Sequence, residues 1–168
     1  MADERATPLN QGVDKWLQVT SQGELQTWDG NTTNFYEQGT WTPTIIGSSS
    51  DGDVSLSVSG GEYAKVGNLC HVYALILVSD IITTPDGNIQ IGGFPFTIAG
   101  SLSTQWFTVS RIENINNTAN FNQISLQSRT GTIMELRGVN YEASQSTISA
   151  SNLTNDTSII VNFVYRIE

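Results

Sequence analysis

The chain has 168 residues, of which 38% are hydrophobic and 14% charged, and its formal net charge is −9. This length fits one ordinary domain, and the many Ile, Val, Thr and aromatic residues predict β structure rather than disorder or long helices. Phosphate backbones and anionic lipid surfaces repel so negative a protein, so we expect binding to neither nucleic acid nor membrane.

Residues 1–35 differ in pattern from the rest of the chain and predict an N-terminal arm. Two short β-like stretches, near Trp16 and Leu25, are separated by a turn and followed by Asp29-Gly30, a good turn signal. A hairpin this small cannot bury its own apolar side chains, so they need a partner surface. The residues predicted on this basis to attach the arm, to the main domain, to a neighbouring subunit or to another protein, are Trp16, Leu17, Val19, Leu25 and Trp28. The N-terminus has no basic start before an apolar run, so no secretory signal is predicted and synthesis in a cytoplasm is expected.

Residues 36–168 predict one β-domain of about eight strands at short spacing. Residues 54–58 alternate polar and apolar, as a strand with one wet face does, and the Ser-Gly-Gly run at 59–61 is expected to break that strand. Residues 69–78 are apolar on both faces from Val72 onward, which predicts a strand at the centre of a sandwich. The predicted fold is therefore an all-β, antiparallel β-sandwich or jelly roll, with a β-barrel as the structural alternative.

Three motifs carry a family resemblance: YEQGTWTP at 36–43, GEYAKVGN at 61–68 and IGGFPF at 91–96. In this order they resemble the β-rich module at the ends of many bacteriophage tail fibres and tailspikes, which also occurs in small virion surface proteins. The resemblance spans roughly residues 35–165. It implies a location on the virion surface, assembly into homotrimers, and capsid or tail proteins as partners.

The same motifs also predict local structure. Residues 41–46 are expected to form one strand, with the indole of Trp41 lying across the edge of the core. The Gly-Asn pair at 67–68 suits a tight hairpin turn with positive φ. The Gly-Gly pair at 92–93 suits a bend that carries the aromatic residues of 94–96 inward. These are features of a scaffold, so the motifs predict a fold and not a reaction.

Few residues offer catalytic or metal chemistry. His71, the only histidine, begins the most apolar strand and is predicted to be a partly buried structural residue rather than a catalytic base. Cys70, the only cysteine, is predicted to be a buried thiol with no basic neighbour to make it reactive. The acidic residues of predicted loops lack the ligand spacing of a calcium site: Asp51, Asp53, Asp80 and Asp86. We therefore expect no enzymatic activity, no cofactor and no metal.

Trp106 and Tyr141 are candidate glycan contacts, because aromatic residues beside polar loops can stack on sugar rings, although a tryptophan in a strand more often packs in the core. Three functions stay open at this point. The small size, the missing shaft and the apolar arm favour, narrowly, a trimeric capsid decoration (cement) protein attached through the arm. The resemblance favours a receptor-binding tip or small tail-fibre component that recognises a host surface glycan. The third function is a carbohydrate-active enzyme, for which the sequence singles out no pair of acids.

Overall fold

A computed structural model describes residues 36–99, 105–116, 121–129, 131–140 and 145–168, together with the backbone of two strands in the arm. The strands are β1 (Trp16–Val19), β2 (Leu25–Trp28), β3 (Tyr36–Trp41), β4 (Thr44–Gly47), β5 (Asp53–Val66), β6 (Leu69–Thr83), β7 (Ile89–Gly92), β8 (Trp106–Glu113), β9 (Gln123–Ser128), β10 (Met134–Val139), β11 (Gln145–Thr147) and β12 (Ser158–Arg166). A short 3-10 helix, Ala150–Asn152, precedes β12. Within these residues, no helix has the length and apolar character needed to cross a membrane.

Strands β3 to β12 form one antiparallel sheet with the order β3-β5-β6-β12-β8-β9-β10-β7-β4, and β11 pairs with β10. The first and last strands of this order, β3 and β4, follow each other in the chain and are joined only by Thr42 and Pro43. The sheet therefore curls until its two ends meet. Strand β8 belongs to both halves, since residues 106–108 pair with β9 and residues 109–113 pair with β12. The prediction of an all-β, antiparallel, sandwich-like fold is confirmed, while this strand order does not establish a jelly roll.

The hydrophobic core fills the space between the two halves of the curled sheet. In β6 every second residue from Cys70 to Val78 is fully buried, so the prediction of a buried Cys70 is confirmed. Aromatic pairs connect the halves: Phe107 stacks on Phe163 with ring centroids 4.4 Å apart. Each large apolar side chain removed from water in this way contributes about 1.5–3 kcal/mol to folding.

Strand β5 runs without interruption through the Ser-Gly-Gly run at 59–61, so the predicted break is wrong. The reason lies in the packing of Trp41, which is 6% exposed and stacks on Phe94 with centroids 4.8 Å apart. A Cβ at Gly61 would lie 2.2 Å from the indole nitrogen Nε1 of Trp41, so glycine makes room for the ring within the strand. Nε1 donates a hydrogen bond to the carbonyl oxygen of Tyr73 at 3.3 Å. The placement predicted for Trp41 is confirmed.

Residues 41–46 form two strands rather than the single one predicted. The chain leaves β3 at Trp41 and enters β4 at Thr44, passing from one half of the sheet to the other. Pro43 suits this crossing because it has no N–H to offer to a ladder. The corner is therefore set by a residue that would weaken the interior of a strand.

Two predicted turns are present. The loop at 67–68 joins Val66 to its cross-strand partner Leu69, and Gly67 has φ +59°, as the first central position of a type II′ turn requires. Asn68 is not among the residues with positive φ, so only half of that expectation holds. Gly93 has φ +82°, and the bend it makes delivers Phe94, 3% exposed, into the core as predicted.

Strands β1 and β2 form a separate two-stranded antiparallel sheet, in which Trp16 is opposite Trp28 and Val19 is opposite Leu25. The predicted hairpin is confirmed at the level of the backbone. The division into an arm at 1–35 and a β-domain at 36–168 stays a prediction.

Candidate functional site

The two halves of the curled sheet share one core, so each half also has a face that points away from it. On the half that contains β5, β6 and β12, this outward face is largely apolar. We call it the outer apolar face and define it by its exposed side chains, which are 39–49% accessible: Val58, Val66, Leu69, Tyr73 and Val164. Among the described residues seven large hydrophobic side chains are exposed, and these are five of them.

The outer apolar face is continuous across three strands. Val58 of β5 is opposite Leu77 of β6, and Leu75 of β6 is opposite Ile160 of β12. Leu75, Leu77 and Ile160 are half-buried and fill the space between the exposed residues of this face. Gly60 adds no side chain, and a Cβ there would meet nothing within 4 Å. The sequence predicts β6 at the centre of a sandwich, but only one of its two apolar faces packs in the core. No described strand lies over this side of the sheet, so the second apolar face of β6 is at the surface.

His71 also lies on this face and is exposed, so its predicted partial burial is wrong. Its ring nitrogen Nε2 is 2.7 Å from the side-chain oxygen Oδ1 of Asn162 on the neighbouring strand. The inward positions of β6 are even-numbered from Cys70 to Val78, which places residue 71 on the outward side. The contact with an amide fixes the imidazole and does not make the serine–histidine–acid arrangement of a nucleophilic enzyme.

The other outward face, on the half that contains β7, β9 and β10, is polar and is organised around Glu135. Its neighbours in β10, Met134 and Leu136, point into the core, so Glu135 is on the outward side of the strand. Its carboxylate is nevertheless buried, with 1% of the residue exposed. Arg129 binds it with Nη2 2.8 Å from both carboxylate oxygens and Nε 3.1 Å from Oε2, and Nε of Arg137 lies 3.1 Å from Oε1. A buried carboxylate requires such pairing, because an uncompensated charge is costly away from water. The two guanidinium groups and the one carboxylate leave this cluster with a net charge of +1.

Trp106 lies beside this cluster, at the first position of β8. It is 39% exposed and is opposite Gln127, whose Oε1 accepts a hydrogen bond from Nε of Arg137 at 2.8 Å. A depression of about 190 Å³, which we call the Trp106 groove, adjoins the indole. The side chains that line it include Trp106, Thr108, Gln123, Ser125, Val139 and Gln145. Trp106 is thus at the surface and not packed in the core, its role as a glycan contact stays a prediction, and Tyr141 lies outside the described residues.

Three titratable side chains in or beside the core have raised pKa values: Tyr63, Cys70 and Tyr165. The hydroxyl of Tyr63 donates to Oε1 of Glu37 at 2.8 Å, and this hydrogen bond, together with burial, raises the pKa of Tyr63 to about 12. Burial raises the pKa of the Cys70 thiol, which keeps it protonated and unreactive at neutral pH. Burial also raises the pKa of Tyr165, whose hydroxyl donates to the carbonyl oxygen of Phe96 at 3.2 Å.

The loop carboxylates do not come together as a metal site in the part of the chain that the structure describes, where no group of three or more His, Cys, Asp or Glu side chains is close enough to hold an ion. Asp80 instead accepts a hydrogen bond from the backbone N–H of Ile81 at 2.9 Å, and its Oδ1 lies 3.5 Å from the side-chain nitrogen of Asn155. Asp80 lies within β6 and not in a loop as predicted, so the contact with Asn155 joins this strand to the segment before β12.

A solved structure resembles part of this fold, whereas the sequence comparisons found no match. No protein-family model matches the chain, and no curated protein matches it. The crystal structure of Dettilon tailspike protein (gp208) is similar, with a TM-score of 0.60 and 17% sequence identity over 78% of this chain and 24% of the tailspike chain. The chain therefore spans about a quarter of that protein's length. At this identity the likeness shows a shared β-rich fold.

The five attachment residues predicted in the arm fall on β1 and β2, and their role stays a prediction: Trp16, Leu17, Val19, Leu25 and Trp28. The outer apolar face and the Glu135 cluster were both missed. A signal for the cluster exists in the sequence, since the outward positions of β10 alternate as Glu135 and Arg137 between apolar residues. What the sequence does not show is Arg129, which arrives from the loop before β10 to complete the pairing.

Proposed function

We propose that this chain is a non-enzymatic structural subunit of a bacteriophage virion, which associates with copies of itself through the outer apolar face and attaches through its N-terminal arm. The observation that carries the proposal is the exposed apolar sheet on a fold similar to part of a tailspike protein. Single exposed apolar residues are ordinary on protein surfaces, whereas a contiguous apolar patch is typical of an interaction site.

A second copy of the chain is the partner that this face fits best. Its flanks carry opposite charges, with Glu62 beside Tyr73 on the β5 side and Arg166 beside Leu69 on the β12 side. A head-to-tail contact between copies would bring these flanks together, and contacts of that kind form a ring when the rotation between copies closes. A ring of three is the homotrimer that the family resemblance implies.

Two locations on the virion are compatible with such a subunit. The fold shared with a tailspike and the exposed Trp106 favour a tail component that recognises a host surface glycan. The separate two-stranded sheet of the arm favours the second candidate, a capsid decoration protein whose arms hold neighbouring capsid subunits. We favour the tail component, because the likeness to a tailspike protein supports it and does not support the capsid decoration protein.

Immunogold electron microscopy of the source virions tests the location, with antibody raised against residues 36–168. We expect gold at the tail or its fibres. Gold spread over the head in many copies would replace the tail component with the decoration protein. Virions that bind no gold, in a preparation whose tail proteins are labelled by their own antibodies, would overturn both.

Light scattering coupled to size-exclusion chromatography tests the self-association. Val164→Lys places a charge in the outer apolar face, where the side chain is 49% exposed and its replacement leaves the core unchanged. We expect the wild type to have the mass of an oligomer and Val164→Lys to have that of a monomer. Trp106→Ala is the matched control, because Trp106 is an exposed hydrophobic residue on the opposite face, and it should keep the wild-type mass. A monomeric wild type at high concentration would refute the interface.

A further inference from the structure

We propose that the Trp106 groove binds an acidic sugar, with the sugar ring against the indole of Trp106 and its carboxylate held by Arg137. This inference rests on the receptor-binding form of the proposed function and assigns the chemical class of the ligand. It uses the polar outward face, which the proposed contact between copies leaves open.

The shape of the groove suits one sugar ring. Its volume of about 190 Å³ is below the range of pockets that enclose drug-sized molecules. Trp106 lines the groove and is 39% exposed, so an apolar surface is available for a flat ligand. Tryptophan presents an apolar body and a polar N–H, a combination that matches the mixed faces of a sugar ring.

The other side chains of the groove supply hydrogen-bonding groups. Ser125, 7% exposed, lies opposite Thr108 in the strand pairing, so two hydroxyls are side by side at the base. Gln123 and Gln145 add amide groups, each able to donate and to accept. A saccharide carries hydroxyls that need partners of both kinds, whereas an apolar ligand would leave these groups without any.

A positive charge lies at the edge of this polar base. Arg137 is opposite Ser125 in the pairing of β9 with β10, and its side chain is 19% exposed. Both of its described contacts, to Glu135 and to Gln127, use Nε. The other N–H donors of a guanidinium are on its two terminal nitrogens, in the fork geometry that recognises a carboxylate.

The surrounding charges favour one negative charge on the ligand. Arg129 and Arg137 together exceed Glu135 by one positive charge, in a chain whose net charge is −9. The paired Glu135 holds Arg137 in place, so little side-chain freedom is lost when a ligand binds. A neutral sugar would use the indole and the hydroxyls but not this charge, and a free anion would use the charge but not the indole.

The test is a titration of the full chain with glucuronate and with glucose, which differ in the carboxylate, followed by isothermal calorimetry or by saturation-transfer NMR. We expect glucuronate to bind about tenfold more tightly than glucose, the size of effect that a charge-assisted pair gives. Arg137→Gln should remove that preference, Arg137→Lys should restore part of it, and Trp106→Ala should weaken the binding of both sugars. Arg111→Gln is the matched control, since Arg111 pairs with Glu113 away from the groove, and it should behave as the wild type.

Equal affinities for the two sugars, or an Arg137→Gln variant that keeps the preference, would overturn the inference. Inorganic phosphate that displaces glucuronate completely at the same concentration would also overturn it, because the site would then be one for anions alone. The absence of glucuronate binding in a protein whose antibody labels the tail overturns the acidic-sugar site and leaves the virion location standing. Glucuronate preference in a protein whose antibody labels the head supports the site and removes the tail location.

Discussion

Replacing Gly61 by alanine tests the packing on which the first half of the sheet depends. The added Cβ would lie 2.2 Å from Nε1 of Trp41, 2.5 Å from Cε2 and 2.7 Å from Cδ1. The indole cannot yield without leaving its stack on Phe94 and its hydrogen bond to the carbonyl of Tyr73. Overpacking of this kind costs about 1–3 kcal/mol, and the hydrogen bond and the stack add about 1 kcal/mol each. Alanine returns about 0.5 kcal/mol by restricting the unfolded chain. We expect a net loss of about 2.5–4.5 kcal/mol in the free energy of unfolding.

The adjacent glycine is the matched control for this experiment. A Cβ at Gly60 meets nothing within 4 Å, so Gly60→Ala should leave the free energy of unfolding unchanged or raise it by about 0.5 kcal/mol. Urea denaturation followed by far-UV circular dichroism and by tryptophan fluorescence gives both values. If Gly61→Ala and Gly60→Ala have the same midpoint, the close approach of Trp41 to β5 is not what requires glycine, and the explanation of the unbroken strand fails.

Two further predictions concern charge. Glu135→Ala should lower the free energy of unfolding by about 2 kcal/mol, because it leaves the two positive charges of Arg129 and Arg137 without their shared carboxylate, with part of the cost recovered by their exposure to water. The control is Glu113→Ala, which should change the free energy of unfolding by less than about 0.5 kcal/mol because its partner Arg111 is exposed. Equal effects of the two substitutions in urea denaturation would contradict the buried pairing. Since the pKa of Tyr63 is about 12 in the folded protein and about 10 when unfolded, its contribution to stability is complete below pH 10 and is lost as the pH rises towards 12. Glu37→Gln should return the pKa of Tyr63 towards 10, which ultraviolet titration of the tyrosines measures, and an unchanged titration would show that the hydrogen bond to Glu37 is not the cause.

The fold class follows from the sequence because its signals are local. Alternation in the strands, the turn at 67–68 and the bend at 92–93 depend on residues that are neighbours in the chain, and each is present. The break predicted at 59–61 is wrong because the reason for glycine at 61 lies twenty positions earlier, in Trp41. The strand predicted at 41–46 divides because its two parts belong to different halves of the sheet. Both errors arise where long-range packing overrides a local pattern.

The candidate sites are less predictable than the fold for the same physical reason. Two apolar faces on β6 predict burial on both sides, and only the sheet as a whole shows that one side has no covering layer among the described strands. Trp106 is recognisable from the sequence as a candidate, whose role stays a prediction, because an aromatic residue next to a polar segment is a local feature. Arg137 is not, since its role depends on Glu135, Arg129 and Gln127 coming together from three segments.

The two outward faces are compatible because they point away from one shared core. Inward side chains of β6 and β12, such as Val72 and Phe163, belong to the same buried cluster as Leu126 and Leu136 of β9 and β10. The outward side chains of the two halves must therefore face opposite directions. Copies joined through the outer apolar face would leave every Trp106 groove open to solvent. Assembly and ligand binding then place separate demands on the sequence, and a substitution on one face can change one of them without the other.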